Sequence, residues 1–348
     1  MKKRIAIGLS GGIDSSVAAY LLKKQGHDVV GFTLKFYPQE NRCCDLDSLY
    51  QAQRLCHNLG IPHYVLDVKD IFRKEIINYF TESYLKGMTP NPCAYCNRLV
   101  KFGIFLEKIE SFGINYLATG HYARLIKKNK SFFLARNKDQ KKTQEYFLSL
   151  INPATLASLI FPLANYTKEE VKRIARNNKI LFRDRKESQD VCFVVDRYYP
   201  EFIEANISDS YKYKGEIRHM RGKVLGQHKG IYYYTYGQRE GLGISWPEPL
   251  YVTNIESKTN TVFVGEKGYL CKNSFFVERL NWFLSPHKYR NIQVKVRYNS
   301  PLRDCKLAID NTRLEVRLSE KIDAVTPGQV AAFYHRDLLL GGGIIAKD

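Results

Sequence analysis

The chain has 348 residues, enough for two or three domains with cores of their own, and its 44% hydrophobic and 13% aromatic content excludes a disordered or fibrous protein. Lys and Arg outnumber Asp and Glu 54 to 35, a net +19 that suits a polyanionic partner, and no stretch approaches the roughly 18 to 20 apolar residues that span a bilayer, so no membrane role is expected. Eight scattered cysteines, with Cys43 and Cys44 adjacent, do not resemble a secreted disulfide framework, so a reducing cytoplasmic setting is expected.

Met1-Lys2-Lys3-Arg4 and the apolar residues after it do not read as a leader peptide, because Gly11-Gly12 and Asp14 interrupt the run too early. Arg4–Leu9 reads instead as a strand and Ser15–Gln25 as a helix, joined by Ser10-Gly11-Gly12-Ile13-Asp14-Ser15. A glycine-rich strand-to-helix turn cradles phosphate: backbone N–H groups approach a polyanion closely, and the positive helix end favours it. The missing Gly-Lys-Ser/Thr ending excludes a Walker A loop, and the missing Gly-x-Gly-x-x-Gly excludes the dinucleotide fingerprint.

Strand signals at Asp28–Leu34, His63–Asp67 and Tyr116–Thr119 alternate with helix signals at Asp47–Asn58, Ile71–Lys86 and Arg98–Ser111. This predicts an α/β, Rossmann-like parallel sheet whose ligand crevice lies beyond the strands' carboxyl ends, where the glycine loop, Leu34, Gly120 and His121 all fall. Within Pro90-Asn91-Pro92-Cys93-Ala94-Tyr95-Cys96-Asn97, two prolines stiffen a loop that presents thiols three residues apart, next to Arg98 and Lys101, an electropositive setting that favours thiolates. A structural zinc site would need two further ligands, and no second Cys-x-x-Cys exists. A hairpin is predicted from Ala123–Ile126 and Phe132–Ala135, then helices near Glu145–Leu150 and Lys168–Asn178. From His121 to Asp190 there are 16 Lys/Arg against 7 Asp/Glu, about half the net charge, which points to a nucleic-acid surface. Glu187-Ser188-Gln189-Asp190-Val191-Cys192-Phe193 places a further cysteine beside Arg183, Arg185 and Lys186; Cys56 reads as core, and Cys43, Cys44, Cys271 and Cys305 as structural or incidental. From about Lys214 onward, short aromatic and β-branched runs punctuated by glycine predict small β-barrels. Ile231–Tyr236 is the densest such run, and Ile292–Tyr298, Leu314–Leu318 and Val330–Tyr334 read as strands of a last module that begins near Ser274.

The glycine loop resembles that of the N-type ATP pyrophosphatases, which split ATP into AMP and pyrophosphate. Over essentially its full length the chain resembles the tRNA-specific 2-thiouridylases, the MnmA family. The resemblance rests on Gly8-Leu9-Ser10-Gly11-Gly12-Ile13-Asp14-Ser15-Ser16, Thr89-Pro90-Asn91-Pro92 with Cys96-Asn97, Ala118-Thr119-Gly120-His121-Tyr122 and Glu187–Phe193. It continues in Tyr234–Gly243, Pro327-Gly328-Gln329 and Gly341-Gly342-Gly343. It implies an adenine nucleotide alpha hydrolase-like N-terminal domain over 1–200, a small mixed central domain over 201–273 and a C-terminal β-barrel domain over 274–348. It also implies a reaction: ATP adenylates the C2 oxygen of the wobble uridine in tRNAs for lysine, glutamate and glutamine, and sulfur replaces that oxygen. By the family pattern Cys192 carries a persulfide delivered by a cysteine desulfurase or sulfur-relay protein, Cys96 is the partner thiol, and a Cys96–Cys192 disulfide remains. Gly8, Leu9, Ser10, Gly11, Gly12, Ile13, Asp14 and Ser15 would hold the phosphates with Mg²⁺ as counter-charge, and Leu34 and Gly120 would line the adenosine. The tRNA contacts would be Asn91, Pro92, His121, Lys142, Gln144, Arg297, Tyr298 and Gln329.

Two departures from the family pattern stand out. Cys93 occupies the place of an aspartate that is a candidate general acid/base, and with Cys96 and Cys192 it offers three ligands for an alternative, [4Fe–4S]-dependent thiolation. Lys142-Thr143-Gln144-Glu145-Tyr146 stands where the family usually has Lys-Asp-Gln-Ser-Tyr. An amidotransferase that adenylates a small molecule would need neither the placed thiols nor the positive charge; an RNA-binding protein that uses ATP only as a conformational ligand would leave Cys96 and Cys192 without a role. A paralogue that thiolates a different RNA remains a narrower alternative.

Overall fold

Strands β1 (Arg4–Gly8), β2 (Asp28–Lys35), β3 (His63–Asp67) and β4 (Tyr116–Ala118) are followed by a hairpin, β5 (Arg124–Lys128) and β6 (Ser131–Ala135), and by the short β7 (Leu159–Ile160). β1 to β4 and β7 form a parallel sheet in the order β3-β2-β1-β4-β7, so a fifth strand completes the four read from sequence. The computed structural model describes residues 2–36, 46–129, 131–180, 191–194, 198–310, 313–323 and 325–347. Cys43, Cys44 and residues 183–190, which include the charged run before Cys192, lie outside the described residues.

Both faces of the central strands β1, β2 and β4 are buried, as crossover helices require, while the edge strand β3 is partly exposed. Ile5 and Ile7 of β1 pack with Val17, Ala18 and Leu22 of helix Ile13–Lys24. Ala6, one residue out of phase, turns to the opposite core with Phe32, Phe72 and Phe105. Helices 69–85 and 92–110 cover that second face. Each winds wider than an α-helix over part of its length, at Arg73–Ile77 and Cys96–Ile104, a geometry frequent at functional sites.

Strands β8 (Gly215–His219), β9 (Val224–His228), β10 (Tyr251–Glu256) and β11 (Thr261–Gly265) make a small sheet in the order β10-β11-β8-β9. The Ile231–Tyr236 run does not extend it. Ile231–Tyr233 is one 3₁₀ turn, because these aromatics fill a junction: the Tyr232 and Tyr233 hydroxyls both donate to Glu204 Oε1, at 3.0 and 2.8 Å.

Strands β12 (Lys272–Trp282), β13 (Ile292–Lys295), β14 (Arg303–Asp310), β15 (Arg313–Ile322), β16 (Val330–His335) and β17 (Leu338–Ile345) form a six-stranded barrel, closed by β12 against β17. The β5–β6 hairpin, supplied by the N-terminal half, pairs onto β17 through Ala135 and Leu338. β16 reads as continuously apolar because both of its faces are covered. Ala331 and Phe333 point into the barrel, while Val330, Ala332 and Tyr334 join the core of the parallel-sheet domain. Gly342 lets β17 press onto that domain, since a Cβ there would lie 2.8 Å from the Ser149 side chain. The outer face of β16 therefore belongs to the core of the first domain, which fixes the barrel against it.

Candidate active site

The glycine loop leaves β1 and enters helix Ile13–Lys24 with Gly12 as N-cap, and no described side chain caps that end. The N–H groups of the first turn therefore face the crevice, a ready anion site. The Ser15 hydroxyl closes the turn by donating to the Gly12 carbonyl at 3.1 Å and accepting from the Ser10 N–H at 3.2 Å. Gly120, after β4, lies flat against the loop: a Cβ there would sit 2.7 Å from the Ser15 nitrogen. Between them is a cavity of about 230 Å³, lined by Gly8, Leu9, Ser10, Asp14, Ser15, Phe32, Leu34, Lys101, Phe105, Gly120, His121 and Gln144 among others. Leu34 and Gly120, read as lining residues for adenosine, both line this cavity. His121 and Gln144, read as RNA contacts, also line this cavity.

Two residues that the sequence reading did not single out for this role complete the loop. Lys168, buried at the start of helix Lys168–Asn177, donates to both Asp14 oxygens at 2.8 and 2.7 Å, and the Tyr122 hydroxyl donates to Asp14 Oδ1 at 2.7 Å. Asp14 is the one acid among the described lining residues, and its charge is balanced within the protein. A capping signal was available for Lys168: Thr167 and Glu170 form a capping box that fixes the helix start and so aims the lysine. Lys101 is the one lysine or arginine among the described lining residues, and Lys168 acts from behind the wall through Asp14. Burial first, then the Lys101 charge, push the His121 imidazole down to about 3, so it is neutral at pH 7; its Nδ1 lies 2.8 Å from the Thr119 hydroxyl.

Lys101 and Cys96 share the wide stretch of helix 92–110, so the wall of the cavity and the thiol sit about one turn apart on one element. Asn91 starts this helix by accepting from the Ala94 N–H at 3.1 Å. Cys93 is exposed and Cys96 buried. Half-buried Cys192 packs against the same hydrophobic core as Cys96. The neighbouring Phe193 meets Phe72 and Phe80 edge to face, at 5.7 and 5.2 Å, in helix 69–85, whose Tyr79 stacks on Tyr95 at 3.8 Å. Tyr95 and Phe193, the chain neighbours of Cys96 and Cys192, therefore pack against one helix. The three cysteines considered as cluster ligands do not form a ligand set: Cys93 faces out and Cys96 in, and no group of three His, Cys, Asp or Glu is placed to hold a metal among the described residues. Burial pushes the Cys56 and Cys305 thiols up to about 12, Cys305 also feeling Asp304, which suits inert residues; Cys271 is exposed.

The remaining residues read as RNA contacts gather where the barrel meets the thiol loop. Gln329 donates to the Thr89 and Pro90 carbonyls, both at 3.0 Å, and its Oε1 lies 3.5 Å from Asn91 Nδ2; Pro92 is buried beside them. Arg297 donates to Thr326 Oγ1 and to the Tyr236 carbonyl at 3.3 Å. Tyr298 packs on Phe147 at 4.6 Å and on Tyr146 at 6.3 Å. Tyr146, fully buried, donates to the Val330 carbonyl at 2.9 Å and ties this junction together. Lys142 is half-buried at the start of the same segment. The departure at Thr143 and Glu145 lies in the scaffold: both are buried, Thr143 Oγ1 donates to Glu145 Oε2, and Tyr334 donates to Glu145 Oε1 at 3.1 Å. One short segment thus touches three places. Gln144 lines the cavity, Tyr146 meets the barrel, and the Phe147 carbonyl accepts from Asn97 Nδ2 at 3.1 Å on the thiol helix. A larger groove of about 750 Å³, lined by Leu280, Trp282, Leu284, Tyr289 and Leu307, lies on the barrel and contains none of these residues.

A parallel sheet with a glycine-rich turn after its first strand, closed by Gly120, defines a domain of the adenine-nucleotide α-hydrolase, N-type ATP pyrophosphatase fold. Family models match in sequence: the tRNA methyl transferase HUP domain over residues 3–196, the tRNA methyl transferase PRC-barrel domain over 200–266 and the aminomethyltransferase beta-barrel domain over 272–345. The chain is 44% identical to the tRNA-specific 2-thiouridylase MnmA of Aquifex aeolicus, with 99% of each chain covered, and 40% identical to that of Clostridium acetobutylicum, with 99% of this chain and 100% of the relative covered. It belongs to the MnmA family. A solved structure, the U34-tRNA thiolase NcsA from Methanococcus maripaludis with its [4Fe-4S] cluster, aligns at 21% identity and TM-score 0.37 over 60% of this chain and 67% of its own, a likeness too slight to bear on the reaction.

Proposed function

We propose that this protein is a tRNA-uridine 2-sulfurtransferase, which thiolates the wobble uridine of tRNAs for lysine, glutamate and glutamine at C2. The observation that carries this reading is the 144–147 segment, which joins the nucleotide cavity, the Cys96 helix and the barrel junction. A polyphosphate loop and paired cysteines belong to adenylation and sulfur transfer, not to methyl transfer.

A uracil C2 oxygen is a poor leaving group. ATP, the co-substrate, supplies a better one: the oxygen attacks the α-phosphate, pyrophosphate leaves, and AMP departs with the oxygen when sulfur attacks C2. The loop N–H groups and Lys101 would stabilise the phosphates, and the Lys168–Asp14 pair holds the loop in shape. Both Asp14 oxygens are taken by Lys168, so they do not fit a magnesium ligand, and magnesium would accompany ATP through its phosphates and water. Neutral His121, beside Thr119, offers a hydrogen bond to nucleotide or base without adding charge. Cys192 would carry the persulfide; its outer sulfur bonds to C2, and the Cys96 thiolate then attacks Cys192 Sγ, leaving C2=S and a Cys96–Cys192 disulfide that a thiol reductant reopens. A cysteine desulfurase or relay protein would reload Cys192. The exposed cations between residues 121 and 179 suit the tRNA backbone. No helix among the described residues is long and apolar enough to cross a membrane.

Incubation of the protein with ATP, Mg²⁺, a cysteine desulfurase with cysteine, and unmodified tRNA should yield AMP and tRNA retarded on mercury gels. Cys96→Ser and Cys192→Ser should each abolish the retardation while pyrophosphate release and tRNA binding persist. Normal thiolation by both variants would remove the mechanism.

A further inference from the structure

The barrel strand β12 carries a bulge between Glu278 and Asn281, where its pairing with β17 shifts register. A bulge re-aims side chains, and this one splits three successive residues between two faces. Leu280 turns to the outer groove of the barrel. Asn281 turns inward and donates to the Ser149 and Ile151 carbonyls, both at 2.9 Å. Arg279 also reaches the first domain, where its guanidinium donates to the Tyr95 hydroxyl oxygen at 2.9 Å. It does so from φ 52°, a left-handed conformation that a residue with a side chain adopts only when its surroundings hold it there.

Tyr95 immediately precedes Cys96. Its ring lies on Tyr79 at 3.8 Å with 21° between planes, so this pair is a closely packed floor, and burial holds the Tyr79 phenol well above its ordinary range. On the other side of the same loop, Gln329 of the barrel grips the Thr89 and Pro90 carbonyls. The barrel therefore holds the thiol loop at both ends, before Cys93 and before Cys96. Stability of the helix does not require an arginine on Tyr95, since Asn91 caps it and Tyr79 covers the ring. An arginine in a strained conformation aimed at the residue next to a thiol fixes direction rather than burial.

We infer that Arg279 is a positioning residue for Cys96, acting through Tyr95, so that docking of the barrel sets where the sulfur of Cys96 points. The inference rests on Cys96 being the partner thiol of the proposed reaction. It makes the barrel part of the sulfur-transfer machinery.

The test compares Arg279→Gly, Tyr95→Phe, the double variant and Cys96→Ser in the full chain. Glycine keeps the left-handed backbone and phenylalanine keeps the stacked ring, so each removes the hydrogen bond with the fold retained. Single-turnover thiolation by protein whose Cys192 persulfide has been loaded by a cysteine desulfurase with cysteine, pyrophosphate release, tRNA affinity, melting temperature and the pH profile of Cys96 alkylation by iodoacetamide are measured. Thiolation is expected to fall about tenfold or more in both single variants, as displacement of a reacting group by a fraction of an ångström does. Pyrophosphate release and tRNA affinity are expected to stay within about twofold, the alkylation profile to shift, and the double variant to be no worse than either single one. Unchanged thiolation and alkylation in Tyr95→Phe, or a thiolation loss matched by equal loss of pyrophosphate release, would overturn the inference. Full thiolation by Cys96→Ser would instead overturn the role of Cys96; loss there with Arg279→Gly and Tyr95→Phe intact would overturn the positioning role alone.

Discussion

Replacing Lys168 with methionine keeps the length and apolar volume of the side chain and removes its charge, which isolates the pair it forms with Asp14. The lysine contacts both carboxylate oxygens, at 2.8 and 2.7 Å, with its side chain 9% exposed against 33% for Asp14. Breaking a fully buried pair from one side costs roughly 3–5 kcal/mol; water reaches a third of Asp14 and Tyr122 still donates to it, so about 2 kcal/mol is expected. At roughly 2–4 °C per kcal/mol the melting temperature should fall about 4–8 °C. The effect on ATP is separate. An unbalanced carboxylate about 5 Å from a phosphate charge, at an effective dielectric of about 20, repels it by roughly 3 kcal/mol, or about a hundredfold in affinity. Calorimetric titration with ATP and thermal unfolding read the two quantities independently. Asp14→Asn combined with Lys168→Met removes both charges and should restore most of the melting temperature, since an orphaned charge costs more than an absent pair. A Lys168→Met protein that binds ATP within about twofold of the parent and melts within about 1 °C of it would refute the reasoning.

Gly120→Ala should weaken ATP binding and pyrophosphate release by at least about tenfold, because its Cβ would meet the Ser15 backbone at 2.7 Å and push the loop aside. Gly226→Ala, with nothing within 4 Å of the added atom, should leave both unchanged. Acid should destabilise the protein from about pH 6.5 downward. His121 is held at about 3, and burial also lowers His63 and His228, so the unfolded chain takes up protons below 6.5 that the folded chain refuses. Stability is therefore fully present above 6.5 and lost as pH falls toward the folded values. Melting curves from pH 8 to 5 should show the drop, and His121→Gln should show less of it; an equal drop in that variant would contradict the assignment.

Local signals made the first domain legible. Alternating apolar runs gave four strands within a residue or two of their ends, because strand and helix periods are short-range properties. The glycine loop was legible for the same reason: six consecutive residues determine its conformation. Ile231–Tyr236 misled, since aromatic density marks burial as well as sheet, and these tyrosines fill a junction against Glu204. Lys168 was not legible as a partner of Asp14, which lies 154 residues earlier in the chain.

The order of residues by itself determined which segments become strands, where the phosphate turn lies and which thiols stand near positive charge, because each depends on neighbours a few positions away. Tertiary structure decided the rest. It brought Lys168 and Tyr122 to Asp14, placed Cys96 and Cys192 on one core, and set the barrel's Gln329 and Arg279 on either side of the thiol loop. Such contacts depend on how whole elements pack, and packing sums weak attractions over residues far apart in the chain, which no local pattern records.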